Sequence, residues 1–197
     1  MTKIVTNVRQ KSSAEAIQWL KHKIEELRNS EIRTQPKLRR GYLYFFFYDP
    51  KMKSELPYYD TFPLTLVLDI HHDGITALNF HYLPPKMRMV FLDKLSNFAS
   101  EGPDGEINRM RISYEILVAS RRLKEFRPCL KRYLYTHIRS RVLPVQPGEW
   151  TLSVALPIAQ FKKRTQRTVW EHSTDQIKSW KPNTGIVHVA GNHREEE

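Results

Sequence analysis

The sequence has little cysteine and no long apolar run. Only one of its 197 residues is a cysteine, Cys129, which excludes an internal disulfide framework. This scarcity favours synthesis in a reducing cytoplasm. No apolar run approaches the roughly 18 residues that a membrane-spanning helix needs. Because no apolar segment follows the basic N-terminal residues, we expect neither a secretory signal nor a role at a membrane.

Sequence motifs for catalysis and metal binding are also lacking. There is no GxxxxGK[ST] loop for nucleotide hydrolysis and no HExxH or CxxC spacing for a metal. The His-His-Asp turn at 71–73 supplies fewer than the about four converging ligands of a closed metal site. A nuclease needs clustered carboxylates to hold Mg²⁺, and no such arrangement is formed by Asp49, Asp60, Asp69, Asp73 and Asp93. We therefore predict a protein that is not an enzyme and has no catalytic residue, metal site or cofactor.

Several polar residues are expected to serve the fold instead. Asp49 and Asp60 flank proline and aromatic residues, where aspartate commonly caps turns. His81 and His137 lie among apolar residues, and we expect hydrogen-bonded core histidines at both positions. Cys129 lies near a predicted helix start without an evident catalytic partner, which indicates a buried, unreactive thiol.

Acidic residues are scarce relative to basic ones. The chain has 32 Lys and Arg against 21 Asp and Glu, a formal net charge of +11. Between residues 121 and 167 there are twelve Lys and Arg and two Glu. This excess favours contact with a polyanion. Nucleic acid, an acidic groove on another protein and a merely solvated basic surface all remain open. No zinc finger, basic zipper or helix-turn-helix motif is present, so we do not expect base-specific readout.

The candidate binding residues are basic positions of this second half, with one tyrosine among them. A helix is predicted over 127–142, where Lys131, Tyr135 and Arg139 have i, i+4, i+8 spacing and would form one row. The full set predicted to bind nucleic acid or an acidic partner is Arg121, Arg122, Lys124, Lys131, Arg132, Tyr135, Arg139, Arg141, Lys162, Lys163 and Arg164.

Hydrophobic periodicity predicts an α+β fold, with an antiparallel sheet of about four strands packed by helices. Ser12 and Glu15 suggest a capping box for the first helix, and Asp73-Gly74 suggests a tight turn that uses positive φ. A proline pair at 84–85 opens a helix whose expected inner face is Met87, Val90, Phe91, Leu95 and Phe98. The predicted helices cover 12–29, 84–98, 109–120, 127–142 and 158–170, and the predicted strands cover 41–48, 64–70, 75–82 and 150–156.

The expected division of the chain has three parts. Residues 1–40 form an N-terminal helix and a basic linker, residues 41–180 form the α+β core domain, and residues 181–197 form an extended C-terminal arm. Such an arm is expected to order only against a neighbour.

Residues 41–64 hold nine aromatic residues in 24 positions. They suggest a base-stacking surface, a core or a docking site for another chain. Stacking platforms interleave rings with exposed basic residues, and here the basic residues lie mostly elsewhere. We therefore predict a packed core or interface role for Tyr44, Phe46, Tyr58, Tyr59 and Phe62.

Four long strings carry a resemblance to a known family. They are FYDPKMKSELPYYDTFPL, LNFHYLPPKMRMVFLDKL, FRPCLKRYLYTHIRSR and EWTLSVALP. From about Gly41 to Trp170 the chain resembles DNA end protector proteins, virion proteins of T4-like tailed phages. The residues that carry this signature are expected to be structural; they are Tyr48, Asp49, Pro50, Lys51, Leu56, Pro57, Tyr58, Tyr59, Asp60, Phe62, Pro63, His81, Tyr82, Leu83 and Pro84.

The resemblance implies a minor structural protein of the virion, made in the host bacterial cytoplasm. It would bind the packaged genome end, a double-stranded DNA end, or the head–tail junction, and so protect the end and aid head–tail completion. Its partners would include other phage head, neck or tail proteins, within an oligomeric assembly. The alternative is a tail, neck or baseplate subunit that binds acidic virion proteins and has no direct DNA role.

Overall fold

The structure is a computed structural model that describes residues 13–28, 38–96 and 122–180. Its helices are α1 (Ser13–Arg28), α2 (Pro85–Ser96), α3 (Phe126–Cys129), α4 (Trp150–Ala155) and α5 (Gln166–Ser179). Its strands are β1 (Leu43–Phe45), β2 (Tyr59–Asp60), β3 (Leu64–His71), β4 (Gly74–Asn79), β5 (Leu130–Leu134), β6 (Leu143–Val145) and β7 (Phe161–Lys162). Short 3₁₀ turns cover Phe80–Tyr82, Tyr135–His137 and Pro147–Glu149.

The strands form an antiparallel sheet of five, in the order β5-β4-β3-β1-β6. Strands β2 and β7 form a separate antiparallel pair. The α+β class and the β1-β3-β4 meander are therefore confirmed. The main sheet has five strands instead of about four, because β5 and β6 join it whereas residues 150–156, predicted as a strand, do not.

Both faces of the sheet are buried. Alternate residues of one strand point to opposite sides, so β1, β3 and β4 each contribute to both clusters. On β1, Leu43 and Phe45 join a large core that also includes Phe91, Val154 and Val169 from the helices. On the opposite face lies a smaller aromatic cluster, in which four of eight buried side chains are aromatic; it is formed by Tyr44, Phe46, Tyr48, Val67, Ile75, Ala77, Tyr133 and Ile138. The rings of residues 41–64 thus belong chiefly to the core, as predicted.

The predicted helix over 127–142 is wrong. Helix α3 ends at Cys129, and the chain then continues as β5, which pairs with β4 from Leu78↔Leu130 to Gly74↔Leu134. Gly74 permits this pairing, since a Cβ added there would lie 2.0 Å from the Tyr133 carbonyl oxygen. Lys131, Tyr135 and Arg139 consequently do not form a helical row.

Two further elements differ from their predictions. Residues 150–156, expected as a strand, form α4 from Trp150 to Ala155, and Trp150 Nε1 donates to the Val145 carbonyl 3.0 Å away. The helix predicted over 158–170 begins only at Gln166, because 161–162 pair with β2. On α2, Phe91 and Leu95 are buried as expected, whereas Val90 is 54% exposed.

The turn between β3 and β4 occurs at the predicted place but does not use positive φ. His71 pairs with Gly74, and among the described residues only Gly41 and Lys163 have positive φ. Gly74 is therefore required by the close approach of β5 rather than by the turn.

Helix α1 confirms the helix predicted over 12–29. The capping residue Ser12, the inner-face residue Phe98, the helix at 109–120 and the arm at 181–197 lie outside the described residues.

Candidate nucleic-acid interface

The loop of residues 49–57, which follows Tyr48 of the smaller aromatic cluster, is held in a defined conformation. The Met52 carbonyl accepts the backbone N–H of Glu55 at 3.0 Å and that of Leu56 at 3.2 Å. At its start, the Lys53 ammonium donates to both Asp49 carboxylate oxygens, at 2.9 and 3.0 Å. This contact holds the pKa of Asp49 below its ordinary value. The loop is therefore held by hydrogen bonds and an ion pair between its own residues.

Lys163 attaches a distant segment to this loop. Its ammonium donates to the Ser54 carbonyl at 2.7 Å and to the Leu56 carbonyl at 2.8 Å. Its φ of 68° lies in the left-handed region, which a non-glycine residue rarely occupies. Because Lys163 directly follows β7, the β2–β7 pairing and these two bonds together place residues 162–164 beside the loop.

A second distant segment contacts the start of the loop. The backbone N–H of Arg139 donates to the Phe47 carbonyl at 2.8 Å, and the N–H of Asp49 donates to the His137 carbonyl at 3.0 Å. The Arg139 guanidinium lies 3.8 Å from the Asp49 carboxylate. Arg139 and Lys53 thus share one carboxylate.

These contacts assemble an exposed, positively charged area that we call the basic loop surface. It consists of loop 49–57 and the residues held beside it, and its carboxylates are Asp49 and Glu55. Its cations, all exposed, are Lys51, Lys53, Arg139, Lys162, Lys163 and Arg164. Within the part of the chain that the structure describes, Lys51, Lys162 and Arg164 make no ion pair. The surface therefore carries uncompensated positive charge, as phosphate binding requires.

The remaining predicted binding residues that the structure describes do not join this surface. Arg132 pairs with Asp73 at the β3–β4 turn, and the Lys131 ammonium lies 4.0 Å from the ring centroid of Tyr82. Burial lowers the pKa of Lys131. Tyr135 is half-buried against the smaller aromatic cluster. Exposed residues for which no contact with the loop is found are Arg122, Lys124 and Arg141. Arg121 lies outside the described residues.

Beneath the basic loop surface, Asp60 is the centre of a buried hydrogen-bond network. Its Oδ1 accepts the backbone N–H groups of Phe62 at 3.0 Å and Gln160 at 3.2 Å. Its Oδ2 accepts His81 Nδ1 at 2.7 Å and the Asn79 amide at 3.1 Å. Asp60 therefore caps a turn, as predicted, and also anchors the residue before β7. The hydrogen bond to Gln160 thus connects this buried carboxylate to the segment that carries Lys162.

In the Asp60–His81 pair, Asp60 is ionised and His81 is neutral. Burial disfavours the charged form of Asp60, yet the adjacent His81 and the N–H donors hold its pKa below the ordinary value. Burial lowers the pKa of His81, although the Asp60 carboxylate opposes this shift. His81 is thus neutral at pH 7, with Nδ1–H donating to Asp60. Its Nε2 is buried and has no hydrogen-bond partner among the residues that the structure describes. This is a structural core histidine, as predicted.

A buried arginine connects the same region to the helices. Arg88 on α2 donates to the carbonyls of Leu83 at 2.6 Å, Leu156 at 2.8 Å and His81 at 3.3 Å. Its guanidinium lies 5.5 Å from the ring centroid of Trp170. Burial lowers its pKa to about 10, so the side chain stays charged at neutral pH. Arg88 is a packing residue that is inaccessible to a ligand.

The described residues contain neither a metal-binding cluster nor an exposed cysteine. No group of three or more His, Cys, Asp or Glu converges as a metal site within them. Cys129 is buried as predicted, and burial raises its thiol pKa, which disfavours the reactive thiolate. His137 is half-buried, and its Nδ1 lies 2.8 Å from the Asp49 carbonyl oxygen. No helix within ranges 13–28, 38–96 and 122–180 is long and apolar enough to cross a membrane.

Sequence reasoning did not include Lys53 among the binding residues and treated Lys51 as structural. Both lie in the aromatic segment, whose rings are predicted to form a core or interface. The available signal was the hydrophilic composition of KMKSE at 51–55, which breaks the aromatic pattern. What sequence did not show was that residues 139 and 162–164 lie beside this break.

The family model described as phage T4 terminal DNA protecting protein matches residues 1–178. This match includes the N-terminal helix, which lies before the strings that suggested the resemblance. No curated protein and no solved structure matches the chain.

Proposed function

The chain belongs to the family of phage T4 terminal DNA protecting proteins, and on this premise we propose that it binds the end of linear duplex DNA through the basic loop surface. The observation that carries this proposal is the convergence of exposed cations from three separate segments on one loop. Their spacing along the chain is irregular, so only their proximity in space makes them a candidate interface.

The expected mode of binding is electrostatic. Lys and Arg displace the counterions that surround the DNA backbone, and this contribution does not depend on base sequence. A duplex end can be held through contacts with its phosphate backbone, without readout of its base sequence. Terminal protection is a structural role, which binding alone accomplishes by covering the end. We propose a binding function without catalysis for this phage protein.

The test is the salt dependence of DNA binding. Fluorescence anisotropy of a short linear duplex, measured at several salt concentrations, gives the slope of log affinity against log salt. Replacing both Lys162 and Arg164 by glutamine should reduce the slope by about 1 for each lost phosphate contact. The matched control replaces Lys21 and Lys86, which are exposed on α1 and α2, and should leave the slope unchanged.

Two results would contradict the proposal. One is a wild-type protein whose affinity for linear duplex shows no steep dependence on salt. The other is a control variant that loses as much slope as the loop variant. Salt-dependent binding to an acidic phage protein, without DNA binding, would favour the alternative role as a tail, neck or baseplate subunit.

A further inference from the structure

A basic surface explains affinity for duplex DNA but not preference for its end. Phosphates are present all along a duplex, so electrostatic contacts alone would hold the protein at internal sites as well. A duplex end differs by exposing one flat, largely apolar face of its terminal base pair. This inference rests on the proposed function, and it asks which group on the basic loop surface fits that face.

Met52 is an exposed apolar side chain within the basic loop surface. It is 53% exposed and lies between Lys51 and Lys53 near the start of the loop. The other exposed large apolar side chains among the described residues lie on helices or on strands of the main sheet; they are Ile17, Ile70, Val90 and Leu130. Met52 thus combines apolar exposure with surrounding positive charge.

The loop is also held in place before any ligand binds. The Met52 carbonyl accepts two backbone N–H groups, and Lys163 binds the carbonyls of Ser54 and Leu56. Lys53 is tied to Asp49. The backbone of a loop held by these hydrogen bonds loses little conformational entropy on binding, so a single side chain can contribute measurably to affinity.

We propose that Met52 packs on the exposed face of the terminal base pair, while Lys51, Lys162 and Arg164 contact the phosphates of the last nucleotides. The thioether is polarisable and packs favourably against aromatic rings. Apolar side chains that insert at base steps of duplex DNA use the same kind of contact. In this arrangement the loop covers the terminal base pair, and an exonuclease loses access to the last nucleotides.

The experiment compares a linear duplex with a covalently closed circle of the same length and sequence. The ratio of the two dissociation constants measures end preference separately from electrostatic affinity. The wild type should prefer linear DNA. Met52→Ala should reduce this preference by about 2- to 10-fold, the range of a sulfur–aromatic contact. Met52→Trp should increase it, because an indole stacks on a base more extensively.

Val90→Ala is the matched control. Val90 is 54% exposed on α2, and its truncation should leave the ratio unchanged. Equal binding of linear and circular DNA by the wild type would overturn the inference, as would an unchanged ratio in Met52→Ala or an equal loss for both DNA forms. The two Met52→Ala results leave the proposed function standing as long as the wild type prefers linear DNA, whereas equal binding of both forms by the wild type contradicts end binding as well. If it binds neither form, the proposed function itself fails.

Discussion

Replacing Asp60 with alanine is expected to lower the free energy of unfolding by about 3–5 kcal/mol, because it leaves several buried hydrogen-bond donors without their acceptor. The substitution removes the acceptor of four donors: the backbone N–H groups of Phe62 and Gln160, the Asn79 amide and His81 Nδ1–H. Each buried donor left without a partner costs about 1–3 kcal/mol. Partial rehydration of the site keeps the total below the sum of these costs.

The assay is urea denaturation followed by tryptophan fluorescence at pH 7. Asp60→Asn is the informative second variant, because its carbonyl can still accept the N–H groups of Phe62 and Gln160. Its amide can donate to His81 only if the histidine adopts the other tautomer, which puts a proton on the buried, unpaired Nε2. We therefore expect a smaller loss, of about 1–3 kcal/mol. Asp49→Asn, at an exposed aspartate of the same loop region, should have little effect.

The reasoning would be refuted if Asp60→Ala were no more destabilising than Asp49→Asn. A second readout connects the network to the basic loop surface. Because Gln160 N–H is held by Asp60 and directly precedes β7, the alanine variant should also lose DNA affinity under conditions in which it remains folded. Unchanged affinity in the folded variant would mean that the position of Lys162 does not depend on this carboxylate.

Two other predictions concern the same sheet. The pKa of His81 is lowered on folding, so only the unfolded chain takes up this proton as the pH falls below about 6.5. Stability should decrease in that range, and decrease again toward the lowered pKa of Asp60. Urea midpoints measured across this pH range test the prediction. It would be contradicted if the midpoint of His81→Gln fell with pH as steeply as that of the wild type. Gly74→Ala should cost about 3 kcal/mol or more, since its Cβ would collide with Tyr133. Gly148→Ala, with open space around it, should unfold at the wild-type urea midpoint.

Local periodicity was sufficient to predict an element that buries one face whatever packs against it. Helix α1 and the β3–β4 hairpin were predicted for this reason. Residues 130–134 fit both a helical stripe and a strand, and the open edge of β4 decided between them. Residues 150–155 have strand-forming composition, yet they form a helix that packs against α2.

The sequence alone determined that this chain carries a large positive charge and can form no internal disulfide, and its pattern predicted that most rings of residues 41–64 pack inside. Only the tertiary structure decided where the charge is concentrated. Gln160 is bonded to Asp60 across 100 residues of sequence, and the strand pairing at this point brings 162–164 to loop 49–57. Such proximity depends on hydrogen bonds between distant backbone segments, which leave no periodic trace in the sequence. For that reason Lys131, Tyr135 and Arg139 were predicted as a helical row, whereas the structure brings only Arg139 of these three to loop 49–57.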